Sequence, residues 1–280
     1  MKTKDRGLKV WLFVFSAGWS LLLTPEAHAQ AQAPAAPPTA KAAAPADFTG
    51  YWVSMITEDW RMRMVTPPKS DYFTAFGMLN FPMTKEGREV ADNWDPARDV
   101  ATGNQCKAYG APGVMRLPTR LHITWEDDNT LRIDTDTGQQ TRLLHFGQKQ
   151  TVAAKRSWQG YSAAVWEFVN LAPDFFTPGK SSKAGGLKVV TTQMLAGYLR
   201  ANGVPYSEDA ILTEYFDRHT DVGAEWILHT RIVEDPQYMT EPYIITSHFK
   251  REPDGSKWHP TPCESSYGPK VIGPPPEPGR

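Results

Sequence analysis

The sequence predicts a mainly β protein, an antiparallel up-and-down β-barrel with one or two short helices. Three observations predict this fold class: apolar and polar residues alternate with a period of two in many short runs, Gly, Pro and Asp residues separate those runs, and a helical period is rare. Eight or more antiparallel strands in one unit must hide their edges, and closure into a barrel does so. A sandwich of two sheets is the alternative fold.

The predicted strands follow one another along the chain as in a meander. LHITW at 121–125 and TLRID at 130–134 are joined through four polar residues at 126–129, which is typical of a hairpin. RLLHF at 142–146 follows after a turn. Further alternating or apolar runs lie at 162–169, 187–195, 211–218, 225–233 and 243–251.

Helical signal is confined mainly to one segment, TKEGREVADNW at 84–94. Thr84 is a candidate N-cap, and Pro96 ends the run. A second short helix could occupy 192–203, with Gly203 as its stop, and it competes there with a strand. The sequence therefore predicts one or two short helices beside the barrel.

The first residues carry the pattern of an export signal. Residues 1–9 include four basic groups, and 10–23 form an almost wholly apolar run of 14 residues that precedes an Ala-His-Ala motif. This pattern predicts a secretory signal peptide over 1–29, because the run is shorter than the roughly 18–20 residues that span a bilayer. We expect a bacterial protein of the periplasm or exterior, without an integral membrane segment after cleavage.

Segments rich in Ala and Pro flank the expected folded domain. Residues 30–46 contain only Ala, Pro, Gln, Thr and one Lys, so they have no large side chain to bury. They predict a disordered linker, and the Pro-rich residues 268–280 predict a disordered tail. A single β-barrel domain is expected between them, over 47–267.

Charge and cysteine content exclude several classes of function. The 280 residues carry 30 Lys and Arg against 31 Asp and Glu, which excludes a nucleic-acid binder driven by electrostatics. Two cysteines exclude a Cys-rich zinc or iron–sulfur module. In an oxidising compartment a disulfide between Cys106 and Cys263 is the simplest use of both, and a reactive thiol is the alternative.

The opening of the expected domain resembles the first strand of lipocalin-type barrels. DFTGYW at 47–52 contains their Gly-x-Trp pattern, and this resemblance implies that Trp52 packs across the floor of the barrel. Together with the ending KREPDGSKWHPTPC at 250–263, the opening is similar to secreted bacterial proteins of unassigned function. The resemblance implies a lipocalin-like barrel and carries no mechanism with it.

Ionisable residues on the predicted strands are the candidates for catalysis. Glu225, His229 and Arg231 share one face of their strand, and Glu214 lies on the preceding strand. In an ordinary barrel such a polar face points to water. If the barrel encloses a cavity, these groups point inward, pair with one another and acquire shifted pKa values. An acid, an imidazole and a guanidinium could then transfer protons on a bound neutral substrate.

A second set of residues is expected to contact a ligand. Aromatic and methionine side chains are dense over 51–83, which suits a lid over an apolar ligand and equally a loop that docks on its own barrel. Basic and aromatic residues on the strands complete the set. The expected ligand-binding residues are Trp60, Arg61, Arg120, His122, Trp158, Trp226 and His248.

No metal ion or organic cofactor is expected from the motifs. The histidines form no H-x-H or H-E-x-x-H pattern and no Cys/His cluster, so a metal site would have to assemble from separate strands. GYSAA at 160–164 lacks the second glycine of a serine-hydrolase elbow. Cofactor-free chemistry is what remains for an enzyme.

Three classes of function fit these features. The first is a secreted lipocalin-like protein that binds a small hydrophobic or aromatic molecule in a barrel cavity. The second is a cofactor-independent enzyme, an acid–base isomerase, cyclase, dehydratase or hydrolase, that acts on such a molecule in the same cavity. The third is a structural or interaction protein of the cell envelope, which a filled interior would favour. The sequence leaves the oligomeric state open, and fold alone does not choose among the three.

Overall fold

Nine strands close into a barrel in the part of the chain that a computed structural model describes, which is residues 37–57, 63–72, 81–147, 155–170 and 183–266. The predicted mainly β, barrel-type fold class is confirmed. The sheet closes on itself, so the alternative of two separate sandwich sheets is not adopted.

The strands of the barrel wall have 6 to 11 residues, and a separate hairpin, β7 and β8, lies between the sixth and ninth strands of the chain. The strands are β1 (Gly50–Met55), β2 (Arg120–Asp127), β3 (Thr130–Thr135), β4 (Thr141–Phe146), β5 (Tyr161–Asn170), β6 (Lys183–Thr192), β7 (Gly197–Arg200), β8 (Val204–Tyr206), β9 (Ile211–Asp221), β10 (Ala224–Glu234) and β11 (Tyr243–Glu252).

Around the barrel the strands follow the order β1-β11-β10-β9-β6-β5-β4-β3-β2. Neighbouring strands are antiparallel except β4 and β5, which run parallel over three residue pairs. After β4 the chain passes through residues 147–160 and begins β5 in the same direction. The barrel is therefore mixed, and it departs from a simple up-and-down order at this one junction.

Short helices lie outside the barrel wall, most of them between β1 and β2. Thr84 caps the second helix as predicted, because its hydroxyl accepts a hydrogen bond from Gly87 N at 3.0 Å. Residues 192–203 contain β7 rather than a helix. The helices are α1 (Ala40–Ala43), α2 (Lys85–Asp92), α3 (Pro96–Ala101), a 3-10 helix (Lys107–Tyr109) and α4 (Ala111–Val114).

Residues before β1 cover one end of the barrel, which we call the plug end and which carries the β2–β3 and β9–β10 turns. Lys41 N in α1 donates to the Asp128 carbonyl in the β2–β3 turn at 3.0 Å. Trp166 Nε1 donates to the Ala40 carbonyl at 2.7 Å, and the Trp166 ring stacks on Phe48 at 5.9 Å. The segment before β1 therefore belongs to the fold.

This packing differs from the disordered linker predicted over 30–46, of which the structure describes residues 37–46. The small alanine side chains allow the backbone to approach the β2–β3 turn, where Ala40 N donates to Asn129 Oδ1 at 2.9 Å. Thr39 also caps α1 with its hydroxyl. The predicted signal peptide at 1–29 and the predicted tail at 268–280 lie outside the described residues.

Apolar side chains fill the middle of the barrel. On β2, Leu121 and Ile123 are buried while the residues between them face outward, as the period of a strand requires. Trp52 is also fully buried, and its indole N–H donates to the Phe48 carbonyl at 2.9 Å. Burial of this apolar surface is the main driving force for folding.

The opposite end, which we call the cap end, is covered by the helices between β1 and β2. Residues 253–266, which we call the strap, follow β11 and reach this end along the outer wall. Trp258 in the strap packs edge-on against Tyr51 of β1 at 6.0 Å, and Thr261 forms a β-bridge with Thr137. The strap thus ties the end of the chain to the cap.

A disulfide fixes the strap to the cap. Cys106 and Cys263 are bonded, with an S–S distance of 2.03 Å and a Cα–Cα distance of 5.1 Å, as the sequence predicts. Beside it, the Ser265 hydroxyl donates to the Pro96 carbonyl at 2.9 Å. The helical cap and the strap are therefore held by a covalent link as well as by hydrogen bonds.

Removal of the disulfide should destabilise the protein. The two cysteines are separated by 157 residues, so the bond restricts a long loop of the unfolded chain. We expect the double variant Cys106→Ala/Cys263→Ala to lose about 2–5 kcal/mol of unfolding free energy in guanidinium titrations. A reducing agent should lower the stability of the parent protein and leave that of the variant unchanged. Equal stability of both oxidised proteins would contradict this account.

Candidate functional site

A layer of polar side chains crosses the interior of the barrel near the cap end. Arg142 on β4, Glu214 on β9 and His229 on β10 all occupy inward-facing positions. Arg142 donates from Nη1 and Nη2 to the two carboxylate oxygens of Glu214 at 2.9 and 2.5 Å, and His229 Nε2 donates to Glu214 Oε1 at 2.9 Å. Thr191 accepts from Arg142 Nη2 at 3.3 Å. One carboxylate thus binds a guanidinium and an imidazole together.

The charges of this layer are set by burial and by mutual contact. Burial alone would raise the pKa of Glu214, but the charge and hydrogen bonds of Arg142, together with His229, lower it to about 2. Burial lowers the pKa of His229, and its contact with Glu214 only partly opposes this. At neutral pH we therefore expect an ionised Glu214 paired with Arg142, beside a neutral His229.

Arg231 lies two residues beyond His229 on the same inward face of β10. Its Nη1 donates to the carbonyl of Pro112 in α4, and its guanidinium lies 6.0 Å from the Tyr243 ring. Within the described part of the chain, its Nε and Nη2 have no hydrogen-bond partner. Burial lowers the pKa of Arg231 to about 9, so the side chain keeps its charge at neutral pH. Arg231 therefore anchors the cap to the barrel.

The interior layer is closed to solvent. The side chains of Arg142, Glu214 and His229 are 0% exposed, so no water-sized space touches them. Arg231 is 1% exposed beneath α4. A substrate could reach this layer only if the elements packed around it moved apart. The arrangement as it stands is suited to holding the barrel and cap together.

Glu225, the fourth residue of the predicted catalytic set, lies elsewhere. It is four residues before His229 on β10, a distance of about 13 Å along a strand. At the plug end its carboxylate contacts Arg218 and accepts from Arg251 Nε at 3.1 Å. The structure thus brings Glu214, His229 and Arg231 to one end of the barrel and separates Glu225 from them.

The strand residues predicted to bind a ligand lie on the outer wall instead of around a common cavity. Arg120 pairs with Glu252 at 2.9 Å, and Lys250 lies over the Trp226 ring at 5.5 Å. His248 is opposite Leu228, also on the outward face of its strand. The prediction selected these residues because they are basic or aromatic. Side chains alternate between the two faces of a strand, and these residues occupy the positions that face away from the interior.

The other predicted ligand-binding residues are spread around the molecule. His122 stacks on Tyr51 at 4.2 Å beneath the strap and lines a shallow surface pocket of about 280 Å³ with Trp258. Trp158 lies at the cap end, where its carbonyl accepts from Ala111 N at 2.9 Å. Trp60 and Arg61 lie outside the described residues. No single site is formed by the described members of the set.

A larger concave site lies at the cap end, in a groove between α2 and α3. It has a volume of about 690 Å³, in the size range of small-molecule sites. We call it the cap groove. Its lining combines carboxylates, amides, two basic groups and aromatic rings, contributed by Glu86, Glu89, Val90, Asn93, Trp94, Asp95, Arg98, Asp99, Thr102, Asn104, Lys107, Tyr198, Gln237 and Tyr238.

Local sequence explains why the two helices meet at this groove. α2 ends at Asp92, and Asp95 caps α3 by accepting hydrogen bonds from Ala97 N and Arg98 N at 3.0 and 3.3 Å. Pro96 occupies the first turn of α3, where a missing N–H costs nothing. Pro96, which the sequence predicts as the end of one helix, therefore begins the next helix, and the chain turns sharply between the two at Trp94.

Close packing holds the walls of the groove in place. A Cβ on Gly87 of α2 would lie 2.5 Å from the Tyr238 carbonyl oxygen, so only glycine lets α2 approach the β10–β11 loop. Gly203 has a φ of +88°, and a Cβ there would lie 2.3 Å from Trp94 Cβ. The groove is therefore preformed by backbone contacts.

The floor of the groove contains a buried carboxylate with two donors. Asp99 is 5% exposed, and it accepts from Lys107 Nζ at 3.0 Å and from the Tyr198 hydroxyl at 3.0 Å. Lys107 Nζ also lies 5.4 Å from the centre of the Tyr198 ring. Burial, with the nearby Asp99 charge, raises the pKa of Tyr198, so its hydroxyl remains a donor at neutral pH. The floor thus binds an ammonium group of the chain itself.

Sequence reasoning missed the cap groove as a site. The α2 segment was predicted, and its exposed acidic residues Glu86 and Glu89 were available as a signal. The opposite wall, however, comes from Tyr198 and Tyr238, more than 90 residues further along the chain. No pattern of sequence spacing connects these segments.

Two further observations concern the described residues. No group of three or more His, Cys, Asp or Glu side chains among them is placed to hold a metal ion. None of their helices combines the length and apolar character needed to cross a membrane.

Comparisons of the chain with protein-family models, curated proteins and solved structures find no match.

Replacement of Glu214 should cost much more stability than replacement of Glu225. Glu214→Gln leaves the fully buried Arg142 guanidinium without its counter-charge, which typically costs about 3–5 kcal/mol. Glu225 is partly exposed, so Glu225→Gln should cost about 0–1 kcal/mol. Urea unfolding followed by circular dichroism measures both values. Similar losses for the two variants would argue against the buried layer as the stronger contribution.

Stability should fall as the pH is lowered, in two stages. The pKa of His229 is lower in the folded protein than in the unfolded chain. Below about pH 6.5 the unfolded chain therefore binds a proton that the folded protein does not bind, which favours unfolding. Below about 4.5 the same applies to Glu214, which stays ionised in the fold down to about pH 2. Unfolding free energies from pH 8 to 3 test this expectation. In His229→Gln the decline should begin only near pH 5, and an unchanged profile would refute the role of His229.

Proposed function

We propose that the protein is an exported binding protein that holds a small molecule in the cap groove. The observation that carries the proposal is the preformed concavity of about 690 Å³, lined by ten polar or charged side chains together with three aromatic rings and Val90. A concavity of this size can hold a small molecule, because its apolar and aromatic surface supplies affinity and its polar groups fix orientation. The proposal keeps the binding function expected from the sequence and moves its site from the barrel interior to the cap.

Burial supports the cap groove over the barrel interior. In the interior, Arg142 and His229 both bind Glu214, and the three side chains have no solvent-exposed surface. In the groove, Glu86 and Glu89 are exposed on α2, whose position is fixed by Gly87, and Asn93 is exposed at the C-cap of that helix. A ligand can enter the groove without displacing any packed element.

The proposed location is the bacterial periplasm or exterior. The predicted signal peptide at 1–29 supports export, and the Cys106–Cys263 bond is compatible with an oxidising compartment. The bond also suits the proposed function, because it lies at the end of the segment that carries α2 and α3. It would hold the cap that carries the groove against the strap in such a compartment.

The enzyme alternative is less well supported. The Glu214–His229 pair has the carboxylate–imidazole chemistry that an acid–base enzyme needs, at a distance of 2.9 Å. A general acid or base must, however, reach the proton of a bound substrate, and both side chains of this pair are 0% exposed. We therefore assign the pair to stability and the cap groove to binding.

A substitution that fills the groove tests the proposed function. Val90 on α2 lines the groove and is 37% exposed, so Val90→Trp should occupy ligand space without disturbing the core. The oxidised protein is screened against small aromatic and aliphatic compounds by saturation-transfer NMR, and the dissociation constants of the binders are measured by calorimetry. Binding should weaken by at least about tenfold in Val90→Trp, because the ligand loses its space.

The matched control is Val165→Trp, which places the same new side chain on the outer wall of β5, where Val165 is 52% exposed. This variant should bind as the parent protein does. Equal weakening in both variants, undiminished binding in Val90→Trp, or the absence of any binder would each contradict the cap groove as the binding site.

A further inference from the structure

We propose that the ligand of the cap groove is an organic cation, an amine or quaternary ammonium compound carried on an aromatic or apolar body. This inference rests on the proposed binding function and names the chemical class that the groove would select. Three observations support it: the charge of the exposed rim, the internal ammonium already bound on the floor, and the composition of the walls.

The exposed rim of the groove is acidic once internal contacts are taken into account. Lys107 is neutralised by Asp99 on the floor, and Asp95 is engaged as the N-cap of α3. Two carboxylates on α2, Glu86 and Glu89, remain toward solvent. Glu89 has one ion pair, to Lys85 at 3.8 Å, in which both side chains are largely exposed. Exposed pairs of this kind are weak, so both carboxylates are available to a cationic ligand.

Arg98, the other basic group of the lining, does not offset these carboxylates. Its guanidinium Nη2 donates to the Asn93 carbonyl at 2.7 Å, at the end of α2. The positive charge is therefore held against the C-terminal end of a helix, where carbonyl groups already favour it.

The floor shows that this groove binds an ammonium group. Lys107 Nζ is held by one carboxylate, Asp99, and lies over one aromatic face, that of Tyr198, at 5.4 Å. A carboxylate beside an aromatic ring is the general arrangement by which proteins recognise ammonium ions. The outer part of the groove repeats these components, with Glu86 and Glu89 near the partly buried Tyr238. A ligand cation there would be bound as Lys107 is bound below.

The walls supply contacts for the rest of the ligand. Val90 offers exposed apolar surface, and Trp94 lines the groove with a ring that is 9% exposed. Among the described residues, the indole N–H of Trp94 has no hydrogen-bond partner. A ligand with an apolar body would pack on these two side chains. A volume of about 690 Å³ accommodates such a body together with its cationic head.

Three probes with one aromatic body and different charges test the class of ligand. They are benzyltrimethylammonium, benzyl alcohol and phenylacetate, titrated by calorimetry into the purified oxidised protein at low salt. Benzyltrimethylammonium should bind at least about tenfold more tightly than benzyl alcohol, and phenylacetate should bind most weakly. Raising the salt to 0.5 M should reduce this preference, because salt screens exposed carboxylates.

A pair of charge variants locates the preference. Glu86→Gln/Glu89→Gln should weaken the binding of benzyltrimethylammonium by about tenfold and leave benzyl alcohol within about twofold. Glu234→Gln/Glu241→Gln removes the same charge from exposed positions outside the groove and should change neither affinity by more than about twofold.

The outcomes separate this inference from the proposed function. If phenylacetate or benzyl alcohol binds more tightly than the cation, and Val90→Trp abolishes that binding, the groove is a binding site and the cation class is wrong. If the cation binds equally well to both pairs of charge variants, the assignment of Glu86 and Glu89 is wrong. If no probe binds and the groove-filling substitution changes the binding of no compound, both proposals fail.

Discussion

The bidentate ion pair between Arg142 and Glu214 is the constraint that decides how the barrel closes. It joins the two antiparallel halves of the wall, because Arg142 belongs to β1–β4 and Glu214 to the half formed by β5, β6 and β9–β11. Either group alone would be a buried charge without compensation, which is far more costly than a lost surface contact. Only a closed wall in this register brings the guanidinium to the carboxylate. The pair therefore favours this closure over other arrangements of the same strands.

Because the buried layer is closed to solvent, its polar groups can only stabilise the fold, whereas the cap has polar groups that remain open to solvent. Arg231 reaches from β10 to the Pro112 carbonyl in α4, so the polar chemistry of the interior ends at the cap. The cap in turn is fixed from outside by the strap and its disulfide to Cys106. Between these two attachments the cap can present an open surface to solvent without loss of the fold. Polar groups that stabilise the fold lie inside the barrel, and those of the cap groove, which we propose as a binding site, lie on the cap.

The sequence predicted the barrel well and the candidate site poorly, for physical reasons. Alternation in LHITW and TLRID encodes β2 and β3 locally, and Thr84 encodes the start of α2. The parallel pairing of β4 with β5 is not encoded within either strand, because the direction in which β5 begins depends on the course of the chain between the two strands. Glu225 and His229 share one face of β10 in the sequence, but a strand extends so far per residue that they end in different environments. The cap groove is made by segments that only the folded chain brings together.

The parallel junction has a consequence for the way the molecule forms. β4 and β5 are matched over three residue pairs, whereas β5 and β6 are matched over ten. Each half of the wall is built from neighbours that are mostly close in sequence, apart from the β1–β2 and β6–β9 pairs. Pairing of β1 with β11 closes the barrel through contacts between opposite ends of the domain, which are entropically slow to form. We therefore expect the β1–β11 pair to form late in folding, and the β4–β5 seam, with its short match, to be the first part of the wall to open.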